Sequence, residues 1–143
     1  MIQMNNVVKK YPNGVVAANG ISVDIKQGEF VYVVGPSGAG KSTFIKLMYR
    51  EEKPTSGEVI IAGTNLTTLK NRQVPYLRRQ LGVVFQDFKL LPRLNVYENV
   101  AFALEVIEEH PKTIRKQVMD VLDLVGLKHN VRMFPNELSG GEQ

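Results

Sequence analysis

The chain has 143 residues, 43% of them hydrophobic and 22% charged, with no cysteine; this composition fits one folded domain and excludes a disordered chain, a disulfide scaffold and thiolate chemistry. The formal net charge of +4 comes from basic residues spread along the chain, with Lys9-Lys10 and Arg78-Arg79 among the few adjacent pairs, so a nucleic-acid groove is not indicated. No apolar run approaches the roughly 20 residues of a membrane-spanning helix, no targeting segment opens the sequence, and a cytosolic chain is expected.

In chain order, Ile2, Met4 and Val7 mark a first strand. Ile21-Ser22-Val23-Asp24-Ile25 alternates apolar and polar side chains as a half-buried second strand does. Lys26 to Glu29 turns into Phe30-Val31-Tyr32-Val33-Val34, an unbroken run of β-formers expected as a strand covered on both faces. Lys41 to Arg50 lacks Gly and Pro and sets Phe44, Ile45 and Met48 at helical spacing. Pro54 to Gly57 turns into the strand Val59-Ile60-Ile61, and Ala62 to Asn65 turns again. Pro75 suits the first turn of a short helix reaching Gln80, because its missing N–H has no partner there anyway.

Leu81 to Phe85 reads as a further buried strand, leading to Gln86-Asp87 and a loop containing Pro92. Two helices follow. Asn95 caps the first with Glu98 as its reciprocal partner, and Val96, Val100, Leu104 and Ile107 share a face. His110-Pro111 breaks it, and both His110 and His129 are expected to be exposed. The second helix aligns Ile114, Val118, Val121, Leu122 and Val125 and stops at Gly126. The expected organisation is a β-rich core over 1–87, a helical subdomain over 88–137 and a terminal motif over 138–143.

Between the expected strand at 30–34 and the helix at 41 lies Gly35-Pro36-Ser37-Gly38-Ala39-Gly40-Lys41-Ser42. A polyphosphate needs many donors that approach without side-chain obstruction. Glycines 35, 38 and 40 leave backbone N–H groups free to curl around a phosphate, and the helix start adds unpaired amides and the positive end of its dipole. Lys41 brings a mobile point charge toward β and γ oxygens, and Ser42 a hydroxyl for Mg²⁺. Such a pattern arises by accident in a chain of this length with a probability on the order of 0.5%. Alone it does not choose among ATPases, GTPases and small-molecule kinases.

Leu138-Ser139-Gly140-Gly141-Glu142-Gln143 follows a turn at Pro135-Asn136 and has the small residues of a helix start open to a second anion. Read from residues alone, it is equally a flexible tail. With the phosphate loop and its spacing, however, this stretch resembles the signature sequence of ABC transporter nucleotide-binding domains. Tyr11 resembles the family's adenine-stacking aromatic, in a turn Tyr11-Pro12-Asn13-Gly14 that offers a ring face without base-specific contacts. Gln86 resembles its magnesium-sensing glutamine, whose carbonyl oxygen ligates weakly and reversibly. The stretches Leu69 to Gly82, Val84 to Pro92 and Val96 to Ala101 are similar to the bacterial cell-division branch. Lipoprotein-releasing and macrolide-export ATPases are the alternative branches.

The resemblance implies an α/β P-loop NTPase fold of ABC type, with an N-terminal antiparallel β subdomain and a helical subdomain, its C-terminal part lacking. It implies ATP and Mg²⁺ as ligands, with Tyr11, Gly35, Pro36, Ser37, Gly38, Ala39, Gly40, Lys41, Ser42, Thr43 and Gln86 at the nucleotide and Ser42 and Gln86 at the metal. Ser139, Gly140, Gly141 and Gln143 are implied to reach the ATP of a second copy in a head-to-tail homodimer. An FtsX-like transmembrane protein that regulates cell-wall remodelling is the implied partner, driven through the segment Phe85 to Tyr97 at the cytoplasmic face of the membrane. No nucleic acid is implied. The family's apolar strand ending in Asp-Glu, which holds Mg²⁺ and activates water, has no match up to Gln143. The expectation is therefore a truncated, unstable chain that does not hydrolyse ATP alone; a nucleotide-gated interaction module is the reading from another class.

Overall fold

The alternation read at Ile21, Val23 and Ile25 becomes one side of a four-stranded antiparallel sheet in a computed structural model, which describes all 143 residues. Strands β1 (Ile2–Lys10), β2 (Val16–Ile25), β3 (Ser56–Ile61) and β4 (Thr64–Asn65) lie in the order β2-β1-β3-β4. Met4 sits opposite Val23 on one side and Val59 on the other. Strict alternation would turn Val7 away from the face that holds Met4, yet both are buried. A bulge resolves this. Asn6 takes a positive φ of 48° and its N–H donates to Ser22 Oγ at 2.9 Å, and the register shifts between Met4 and Val7.

Helix α1 (Lys41–Met48) packs Phe44 and Leu47 into this face with Met4, Val7, Val59, Ile61, Leu66 and Leu77. Each such side chain removed from water contributes about 1.5–3 kcal/mol. The short helix α2 (Val74–Arg78) has Pro75 in its first turn and buries Val74 and Leu77. Arg78 donates from Nε to the carbonyl of Tyr49 at 3.0 Å and from its terminal nitrogen to that of Arg50 at 3.3 Å. A guanidinium thus satisfies carbonyls beyond the end of α1. Together these elements form the unit Met1–Val83.

Two expected strands are absent. Phe30 to Val34 enters no ladder, and its exposure alternates: 80% at Phe30, 47% at Val31, 79% at Tyr32, 41% at Val33 and 86% at Val34. It is an extended ribbon with one face half-covered and the other bare, not a strand covered twice. A cleft of about 370 Å³ separates it from Ile21, Val23 and Ile25 and closes at Ala39 to Lys41 and Phe44. Leu81 to Phe85 likewise joins no ladder, and Val84 is fully exposed. The physical reason is shared: an apolar run becomes a strand only when another strand takes its backbone groups, and none of the four strands does so here.

The unit Val84–Gln143 is built on α3 (Val96–Glu105) and α4 (Pro111–Leu124), which bury Val96, Ala101, Ile114, Val118 and Leu122 between them. Asn95 Oδ1 accepts the Glu98 N–H at 2.9 Å, and Glu98 returns a carboxylate to the Asn95 N–H at 2.8 Å. Asn95→Ala should therefore destabilise this unit by about 0.5–2 kcal/mol, visible as a lower urea midpoint with an unchanged slope. Helix α4 ends as expected. Gly126 at φ 77° donates to Asp123 O, and Leu127 donates to Leu122 O, a Schellman closure. Three expected core positions are corrected: Ile107 lies past the end of α3 and is 41% exposed, while Val121 and Val125 are 47% and 58% exposed. One neighbouring helix covers only a narrow stripe, here Ile114, Val118 and Leu122. His110 and His129 are exposed, and His110 Nδ1 accepts the Lys112 N–H at the start of α4.

Candidate functional site

The phosphate-loop residues follow the bare ribbon and turn directly into α1. Gly40, the N-cap, stands at φ 86°, and a Cβ on it would lie 2.0 Å from the Ala17 carbonyl oxygen of β2. The loop is thus pressed against the sheet at its last glycine. Gly35 and Gly38 also take positive φ, 153° and 80°, and Ala39 donates to Pro36 O at 3.2 Å to close the turn. The first-turn amides of Lys41, Ser42 and Thr43 find no acceptor in the chain, as helix geometry dictates. The Ser42 side chain is exposed.

The Lys41 side chain folds back over the loop. Its ammonium donates to the carbonyls of Gly35 at 2.8 Å and Pro36 at 2.7 Å, so the cation is held over the loop from within. Thr43 is buried, and its hydroxyl lies 3.1 Å from the Tyr11 hydroxyl. Tyr11 itself opens a turn in which its N–H donates to Val15 O and its carbonyl accepts from Gly14. The chain thereby brings the expected stacking aromatic to the first turn of the helix that begins at the phosphate loop. Lys9 stands 4.9 Å from the centroid of the Tyr11 ring. The sequence reading missed it, although residues two apart in an extended segment share a side.

The remaining expected site residues lie in the other unit. Gln86 is exposed in a segment without regular structure, where Phe88 and Lys89 take positive φ. Leu138 packs into the helical core. Ser139 and Glu142 close a turn: Glu142 accepts from the Ser139 hydroxyl at 2.6 Å and its N–H at 2.8 Å, and from Asn130 at 3.1 Å, while the Glu142 N–H donates to the Ser139 carbonyl at 3.0 Å. These donors, the hydroxyl first, hold the Glu142 carboxyl below its ordinary pKa. The contact is therefore present above that ordinary value and is lost as pH falls through the lowered one. Gly140 and Gly141 are exposed with open space beside them. The Gln143 amide donates to the carbonyls of Pro135 and Leu138. Glu142 was not singled out in the sequence, though a carboxylate three residues after a serine is placed to accept from both its hydroxyl and its N–H.

Residues 18–143 match the family described as ABC transporter. The chain belongs to the ABC transporter family. It is 67% identical over all its residues to the cell division ATP-binding protein FtsE of Bacillus subtilis and 62% identical to that of Streptococcus pneumoniae. It spans 63% and 62% of those proteins' lengths. Among solved structures, the dimeric ATP-binding cassette MJ0796 bound to ADP and Pi superposes with a TM-score of 0.90 at 35% identity, covering 99% of this chain and 65% of that one. The fold expected from the sequence, an N-terminal antiparallel sheet and helices of an ABC ATPase cassette, is the one found, and the family is a nucleotide-binding one. No helix is long and apolar enough to cross a membrane.

Proposed function

We propose that the protein is an ATP-binding subunit of an ABC-type membrane complex acting in bacterial cell division. The observation that carries the nucleotide reading is the loop itself, where unpaired amides of Lys41, Ser42 and Thr43 and the inward-held Lys41 ammonium converge and suit a polyanion. A hard cation prefers oxygen donors, which fits the exposed Ser42 hydroxyl to Mg²⁺, and no acidic or histidine cluster offers a competing site. When bound, Mg²⁺ offsets charge on the β and γ phosphates. Gly35 to Thr43 hold the polyphosphate, and Tyr11 stacks the base. The cell-division role rests on similarity to FtsE across the whole chain.

In this reading two copies face each other, and Ser139, Gly140, Gly141 and Gln143 of each approach the nucleotide of the other. Triphosphate then forms part of the interface, so closure depends on ligand. An FtsX-like transmembrane protein receives the motion at the cytoplasmic face of the membrane, through the segment around Gln86. Hydrolysis is the activity of the whole protein. No Asp-Glu pair occurs in these 143 residues, and a missing general base lowers rates by about 10²- to 10⁴-fold, so this chain alone binds ATP without measurable turnover. Calorimetric titration with ATP and Mg²⁺ is the test: saturable heat with a Kd below about 1 mM and no released phosphate is expected. Absence of heat at that dose would sink the nucleotide reading, and phosphate release at ordinary ABC rates would sink the binding-only reading.

A further inference from the structure

Lys9 is an exceptional lysine on this surface, because three contacts fix its ammonium. It pairs with Glu52 at 2.6 Å, donates to the Lys53 carbonyl at 2.9 Å and stands 4.9 Å from the Tyr11 ring centroid. The Lys9 and Glu52 side chains are only 13% and 26% exposed, so the pair is partly shielded and holds its geometry better than an open surface ion pair. At the other end of the same ring, the hydroxyl lies 3.1 Å from Thr43. Thr43 is in the first turn of α1, whereas Glu52 and Lys53 lie just beyond its last turn. The ring is clamped from both ends of the helix that begins at the phosphate loop.

We propose that Lys9, held by Glu52, is a positioning residue for base recognition: it covers one face of Tyr11 and presents the opposite face to adenine at a set distance from the phosphate loop. The inference rests on Tyr11 being the stacking residue. A cation against one face of an aromatic ring fixes the ring and draws electron density from it. The opposite face then stacks better with an electron-rich purine. The Lys9 end of the clamp touches only Glu52, Lys53 and the ring, none of them in the stretch Gly35 to Thr43 that holds polyphosphate, so the effect of Lys9 is confined to the base.

The test compares ATP with inorganic tripolyphosphate by calorimetry on the same protein, with circular dichroism checking the fold of each variant. In Lys9→Met the ratio of ATP to tripolyphosphate affinity should fall about 3- to 10-fold. Lys9→Arg, which keeps the cation on the ring, should restore the ratio, and Glu52→Gln, the alternative should Lys9→Met not fold, should lower it in the same direction. Tyr11→Ala serves as the reference and should bring the two ligands close together. If Tyr11→Ala lowers the ratio and neither Lys9→Met nor Glu52→Gln does, the positioning role is overturned while the stacking reading survives. If Tyr11→Ala leaves it unchanged, stacking itself fails and the clamp with it. A rise in ATP affinity on Lys9→Met would overturn the proposal by making Lys9 an obstruction.

Discussion

Lys41→Met should lower ATP affinity at least about 100-fold while leaving the unfolding midpoint almost unmoved. In the structure the ammonium donates to Gly35 O and Pro36 O, two carbonyls of an exposed loop that water can serve equally well once the lysine is gone. Little stability is therefore at stake, about 1 kcal/mol or less. Toward a triphosphate the balance differs, since each charge-assisted hydrogen bond is worth about 1.5–3 kcal/mol. Two such bonds correspond to roughly 10²- to 10⁴-fold in Kd. Calorimetry and urea unfolding on the same preparation separate the two quantities. A variant that bound ATP within a few-fold of the original would show that the ammonium held over the loop is a structural strut alone.

The contrast between that loop and its surroundings explains what the sequence could and could not disclose. Strand β2, helix α4 and the Asn95 cap are specified by residues within a few positions of each other, and period, cap and terminal glycine all agree there. Phe30 to Val34 and Leu81 to Phe85 have equally strong local signals, yet a ladder is a property of two segments, and their composition says nothing about whether a neighbour is present. Their apolar side chains stand largely bare as a result, from 41% to 86% exposed over Phe30 to Val34 and fully exposed at Val84. At the site, the run Gly35 to Ser42 was legible because its chemistry lies in consecutive residues. The clamp on Tyr11 was not, because Glu52 and Thr43 reach it only through folding, and Lys9 read as half of a basic pair.

Gly40→Ala is expected to be among the most damaging single substitutions in the chain, destabilising the unit Met1–Val83 by about 3 kcal/mol or more. The new Cβ would meet the Ala17 carbonyl oxygen at 2.0 Å, and that oxygen belongs to the backbone of β2, which cannot swing aside as a side chain does. The residue would also be held at φ 86°, a left-handed conformation that costs a non-glycine about 1–2 kcal/mol. Relief requires α1 to move off the sheet, opening the contacts of Phe44 and Leu47 with Met4, Val7 and Val59. Gly38→Ala isolates the backbone term. Gly38 has a similar φ of 80° but nothing within 4 Å of the added Cβ, so its cost should stay near 1–2 kcal/mol. Urea unfolding of both variants decides the matter: equal losses would mean that α1 and β2 separate freely, and that the last glycine of the loop is kept open for phosphate alone rather than also for the join between loop and sheet.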